Sequence, residues 1–264
     1  MTDRDPDEDI LTALDWQGAP VVCAECAHAV LLGKGRCQPL RACVHDRYAR
    51  RIERFFKQNP NFANDYLGHP YFEVRALAAR HADEFRLPAL LNDPDEVVRW
   101  AAVSRLPYRY LLRLRADPHR EVRIRVAGRL DDGDLIALMG DEDYQVRLTV
   151  ARRIRPELLT LMMRDPDTQV RRTVATRIPT GSLLELARDP VDDVRLEVAR
   201  RLPAGLLHLL SEDPDWRVRY EVASRIEAGH VLQQLTHNDD EAVAARARER
   251  LFGSSAASGD QILH

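Results

Sequence analysis

A period of 24 residues governs this chain from residue 69 onward. Asp-Pro pairs stand at 93–94, 117–118, 165–166, 189–190 and 213–214. Asp141-Glu142 fills the gap in phase, His69-Pro70 precedes the series in phase, and a last copy begins near Asn238, one residue late. One such unit is too short to bury its own apolar face, so about eight copies must stack on their neighbours.

With the Asp as position 0, position 5 is Val74, Val98, Val122, Val146, Val170, Val194, Val218 and Val243. Val recurs at 9, Ala at 10, and Leu or Ile at 13. Steps of four place 5, 9 and 13 on one helical stripe, and the small Ala lets a neighbouring helix approach. Asp then Pro reads as an N-cap and a first-turn proline. Pro107, Pro179 and Pro203, at position 14, stop the helix. Each repeat therefore opens with an α-helix of about three turns. Ten residues remain for the return, where Leu recurs at 18 and usually at 21. That spacing of three suits short α or 3₁₀ structure better than a strand.

Two arginine series run through the repeat: Arg75, Arg99, Arg123, Arg147, Arg171, Arg195 and Arg219 at position 6, and Arg105, Arg129, Arg153, Arg177, Arg201, Arg225 and Arg250 at or near position 12. One reading places them along the repeat seams, paired with the Asp of a neighbour or with helix C-terminal carbonyls. The other makes them a ladder that grips phosphates. A net charge of −3 and 42 acidic residues favour the seam.

All four cysteines lie between residues 23 and 43, as Cys23-x2-Cys26-x10-Cys37-x5-Cys43. Residues 16–43 hold only short apolar clusters, so bound metal would supply folding energy there. The first knuckle occurs in zinc sites and clusters alike. The second is wider than in a zinc ribbon and lacks the Cys-Pro of the bacterial ferredoxin run. Spacing alone leaves zinc, an iron–sulfur cluster, and thioredoxin-like redox chemistry or disulfides open. His28 and His45 read as surface groups, because four cysteines already complete a thiolate site. Residues 44–58 read as a basic helix with Ile52, Phe55 and Phe56 near one face.

No apolar run is long enough to cross a bilayer. The acidic start, Asp3 to Asp15, is unlike a secretory signal, so a reducing cytoplasm is expected. No nucleotide-binding loop, dinucleotide fingerprint or nucleophile elbow is present, so no catalytic residue is assigned.

The repeat Asp-Pro-x3-Val-Arg-x2-Val-Ala-x-Arg-[Leu/Ile]-Pro, clearest at 165–179 and 189–203, resembles the leucine-rich repeat variant family. The four-cysteine segment resembles the small iron–sulfur domain that precedes the array in some members. The resemblance implies an all-α, right-handed solenoid of alternating α- and 3₁₀-helices without strands. It also implies a [4Fe-4S] cluster on Cys23, Cys26, Cys37 and Cys43, with zinc as the alternative cofactor. The expected organisation is an acidic N-terminal tail at 1–15, an iron–sulfur domain with connecting helix at 16–60, a solenoid at 61–252 and a disordered tail at 253–264. His69 and Ala82 in the first repeat, and Ala244 in the last, depart from the pattern as end caps do. The expected function is a non-enzymatic scaffold that binds a protein partner, with the cluster structural, electron-transferring or sensing. A nucleic-acid-binding solenoid with a redox-sensitive cluster is the alternative.

Overall fold

The computed structural model describes residues 12–253. Most of the expected acidic tail and nearly all of the expected C-terminal tail lie outside the described residues. The described chain is helical and has no strand, only isolated antiparallel bridges at Leu14–Pro20 and Gln38–Ala42. It divides into two compact units between Leu130 and Asp131.

In the first unit the cysteine segment leads into the helix Ala49–Gln58 and the 3₁₀ turn Pro60–Tyr66. Repeat helices follow at Phe72–Ala79, Glu96–Val103 and Arg120–Ala127. The second unit carries repeat helices at Tyr144–Arg153, Thr168–Arg177, Asp192–Arg201, Trp216–Arg225 and Glu241–Phe252. Apart from His230–Leu235, which stays α-helical, the returns take two forms. Pro156–Met162 and Ala204–Leu210 are continuous 3₁₀ turns, whereas Tyr108–Leu111 and Thr180–Leu183 are single α-turns that tighten into 3₁₀ at Leu112–Leu114 and Leu184–Leu186.

The stripe predicted from the period is the core. Every position-5 Val is 0% exposed. Val126, Val150, Val174, Val198 and Val222 are equally sealed, as are Leu106, Leu130, Ile154, Ile178 and Leu202. The return leucines Leu111, Leu159, Leu183 and Leu207 close the core from the other side. Four helices stop where position 13 turns extended: ψ is 145° at Ile178 and 141° at Leu202, which precede Pro, and 148° at Ile154 and Ile226, which do not, so the following Pro suits this stop without being required for it.

The N-cap is not where the sequence placed it. It falls two residues later: the Asp167 carboxylate accepts from the N–H of Gln169 and Val170, and Asp95, Asp143, Asp215 and Asp240 act alike. The Asp at position 0 has another task. Its Oδ1 accepts the N–H two residues on, as at Asp189–Val191, 2.9 Å, and so shapes the turn. Both of its oxygens also receive the position-6 Arg of the preceding repeat. Arg99 grips Asp117 at 2.7 and 2.9 Å, Arg171 grips Asp189 at 2.7 and 3.1 Å, and Arg195 grips Asp213 at 2.7 and 2.9 Å. Arg75–Asp93 and Arg147–Asp165 repeat the two-pronged pairing. The remaining guanidinium nitrogen turns back to the carbonyl of its own repeat's position 0, as from Arg171 to Asp165, 2.8 Å.

The position-12 arginines close the seam at the other end of the helix. Arg105 donates to Ala82 O (2.6 Å), Arg129 to Leu106 O (2.8 Å), Arg201 to Ala175 O (2.7 Å) and Arg250 to Ile226 O (2.6 Å). Each accepting carbonyl lies at or just past the C-terminal end of the preceding repeat's helix. Such carbonyls lack intrahelical partners and carry the negative end of the helix dipole.

Candidate metal centre

Short local structures place the four cysteines. Cys23 opens the 3₁₀ turn Cys23–Glu25, which Cys26 N–H closes on Cys23 O at 3.3 Å. The one-turn helix Ala29–Gly33 follows. Gly35, at φ 66°, lets the chain reverse so that Arg36 N–H reaches Leu31 O at 3.0 Å. Asn59 is wholly buried at the end of the helix Ala49–Gln58. Its amide donates to Arg36 O at 2.7 Å and Phe55 O at 2.9 Å, fixing the residue that precedes Cys37. Between Cys37 and Cys43 the chain makes the Gln38–Ala42 bridge around Leu40. Cys43 N–H donates to Arg51 O at 3.2 Å. Asp46, 1% exposed, accepts from Arg51 at 3.0 Å and from Tyr48 N–H at 2.9 Å, which fixes the corner from Cys43 into the helix.

None of the four cysteines is in a disulfide; Cys37 and Cys43 are buried, Cys23 and Cys26 partly so. Burial pushes the Cys37 thiol up, the neighbouring Cys26 and Cys23 push it further, and a hydrogen bond with Cys43 pulls the other way. Burial likewise pushes Cys43 up to about 12, against a hydrogen bond from the backbone of His45 and with added pressure from Cys37, Asp46 and Cys26. Cys37 and Cys43 thus sit where negative charge is unfavourable, and Cys23 and Cys26 lie near enough to add to that pressure. A bound cation inverts that logic, because a metal-coordinated thiol is deprotonated outright. The donor set also suits thiolates bound to metal: His28 N–H donates to Cys26 Sγ at 3.4 Å, and His45 N–H serves Cys43 in the same i+2 manner. Among the described residues no three His, Cys, Asp or Glu are arranged to hold a single metal ion.

Sequence reading put His28 at the surface, and the structure corrects this. His28 is 8% exposed and Nε2 lies 2.6 Å from the Tyr66 hydroxyl. Its ring packs against Phe62 at 4.7 Å and Phe55 at 5.1 Å. His45 is half-buried, 6.3 Å from His28 and 6.4 Å from His69. Burial lowers the pKa of all three imidazoles, with the neighbouring His45 second for His28. Phe55 and Phe56 are sealed and pack against Tyr66 in the same aromatic cluster. The clue in the sequence was Cys-x-His, which occurs twice, at Cys26–His28 and Cys43–His45. The expected helix from residue 44 begins only at Ala49, since Asp46 and Arg51 hold the preceding residues in a corner. No described helix is long and apolar enough to cross a membrane.

Residues 13–65 match the family model for the LRV protein FeS4 cluster. Residues 144–167 and 168–191 match the model for the leucine rich repeat variant. A solved structure described as a leucine-rich repeat variant with a novel repetitive protein structural motif superposes with a TM-score of 0.84 at 42% identity, over 87% of this chain and 98% of that one. An uncharacterized 27.7 kDa protein in the nifB 3′ region of Rhodobacter capsulatus is 54% identical over 94 residues. That match spans 36% of this chain and 38% of the relative's length.

Proposed function

We infer that this chain, which belongs to the leucine-rich repeat variant family, is a binding scaffold whose cysteines hold a [4Fe-4S] cluster through Cys23, Cys26, Cys37 and Cys43. That the chain is an iron–sulfur-bearing repeat protein follows from the two family matches in order along the chain. The carrying observation for the ligand set is the arrangement of those four thiols: two buried, two half-buried, none in a disulfide, and sulfurs receiving backbone N–H bonds. Four cysteine ligands leave no open iron position for a substrate, which supports a non-enzymatic role. The cluster would hold residues 16–60 folded against the first repeat helix Phe72–Ala79, and it could in addition carry an electron or report iron supply. A reducing compartment such as the cytoplasm would keep its ligands available.

The repeats support protein recognition over nucleic-acid binding. Five of the position-6 arginines are spent in two-pronged carboxylate pairs rather than presented to phosphates. The test of the ligand set is anaerobic iron and sulfide analysis of Cys23→Ser, Cys26→Ser, Cys37→Ser and Cys43→Ser in the full chain. Each should lose cluster, and full occupancy in any one removes that cysteine from the set. A shift assay at low salt tests the alternative, and salt-sensitive DNA or RNA binding would favour the nucleic-acid reading.

A further inference from the structure

The helix Ala49–Gln58 buries Ile52, Phe55 and Phe56 and leaves Arg50 and Arg54 exposed, four residues apart on its outer face. The cysteine loops bring more cations to that face. Arg36 donates to Gln58 O at 2.5 Å, and Arg54 donates to Arg41 O at 3.5 Å. Lys34, Arg36 and Arg41 are exposed as well. These bonds go to carbonyls and leave the charges uncompensated: among the described residues none of the five forms an ion pair, whereas Lys57 pairs with Glu53 and Arg51 with Asp46. Residues 12–58 hold eight Lys and Arg against four Asp and Glu, a net of +4 in a chain whose total is −3.

Exposed aliphatic side chains lie close to these cations in sequence. Val30 is 70% exposed, and Leu32 and Leu40 are each 41% exposed. Leu40 is the one described non-glycine residue with positive φ, at 61°. That conformation is costly for a residue with a β-carbon, and glycine or asparagine would hold the turn with less strain. Leu40 keeps 41% of its surface in solvent, so the loop between Cys37 and Cys43 holds a part-exposed residue in a conformation that disfavours a β-carbon. Strain of this kind points to a role at a recognition surface.

We propose that this face docks an acidic protein, with Leu40 as its apolar contact and Lys34, Arg36, Arg41, Arg50 and Arg54 as its cationic surround. The inference rests on the reading that the chain is a protein-binding scaffold, and it adds the place and the charge of the partner. Charge complementarity steers such an encounter and selects against basic partners. The side chains interleaved with the cations are aliphatic, whereas single-stranded nucleic acid calls for aromatic platforms.

The test uses the cluster-loaded full chain and an acidic plant-type ferredoxin as probe, with basic cytochrome c as control. Affinity is measured by calorimetry at about 20 mM and about 200 mM salt, which brackets the range where surface charge is screened. The ferredoxin should bind, and more weakly at the higher salt. Arg50→Glu/Arg54→Glu should weaken it at least about tenfold, and Leu40→Gly about threefold without lowering the melting temperature. Iron and sulfide content should be unchanged in both variants, which separates failure of docking from failure of the cluster reading. No binding at low salt, or equal binding by the charge-reversed variant, overturns the proposal. So does binding of duplex DNA in place of ferredoxin through the same arginines. Salt-sensitive self-association, or a ferredoxin affinity that appears only after deletion of residues 1–11, would assign the face to a second copy or to the chain's own acidic stretch instead.

Discussion

Replacing Arg171 by Met should uncouple two repeats. Arg171 lies on the seam with its side chain 11% exposed and that of Asp189 3% exposed. The Asp189 hydrogen bonds hold the guanidinium above the ordinary arginine range. Arg171→Met leaves the Asp189 carboxylate buried with only the Val191 N–H donating to it among the described residues. Breaking a buried pair from one side costs about 3–5 kcal/mol. The carbonyls of Asp165 and Pro166 also lose a donor, at 2.8 and 3.2 Å. Water entering the vacated space offsets much of that second loss, so the total stays at about 3–5 kcal/mol. Adding Asp189→Asn removes the stranded charge and keeps an acceptor for Val191, so the double variant should recover about 1–2 kcal/mol relative to Arg171→Met alone. Urea unfolding followed by far-ultraviolet circular dichroism reads both numbers. Because repeat stability is a sum over neighbouring interfaces, the unfolding transition should also broaden. A loss below about 1 kcal/mol, the value of an exposed pair, would refute a structural seam and return these arginines to the surface.

Asp167→Ala deletes the cap on Gln169 and Val170 and should cost about 1 kcal/mol in the same assay, whereas Asp167→Asn should be nearly neutral. Tyr66→Phe removes the 2.6 Å contact with His28 and should lower the stability of the first unit by about 1–2 kcal/mol, read by thermal melting, without loss of iron. In metal-free protein Cys43 stays protonated up to about 12, whereas an unfolded thiol titrates near about 8.5. Between those values the unfolded chain has shed a proton that the folded chain keeps, so stability falls as pH rises. Melting temperature against pH checks that slope, and alkylation at pH about 8 should reach Cys43 far more slowly in the folded than in the denatured chain.

The repeat was legible because its period fixes both the stripe and the seam. Val at 5, Val and Ala at 9 and 10, and Leu or Ile at 13 announce their burial by spacing alone. The cap was misplaced because Asp-Pro looks like a helix start in isolation. The partner that gives this Asp its other task, Arg171 for Asp189, comes from the neighbouring repeat 18 residues earlier in sequence. The recurring Asp at position 2, as in Asp95, Asp143, Asp167 and Asp215, carried the correct signal. The cysteine segment was harder to read, since it has no period. Its spacing could not choose between zinc and a cluster, and the burial of His28 depends on Phe55, Phe62 and Tyr66, which lie in other elements. Asn59 likewise acts on Arg36 across 23 residues, a contact that no local pattern foretells.

An iron–sulfur cluster on Cys23, Cys26, Cys37 and Cys43 would fix the metal content of the purified chain. Anaerobic purification followed by iron, sulfide and zinc analysis, with a visible spectrum, tests it most directly. Such a cluster gives about four iron and about four sulfide per chain, with a broad absorption at about 400 nm that bleaches on reduction or in air. A colourless protein with about one zinc per chain would contradict it and make the N-terminal segment a structural knuckle.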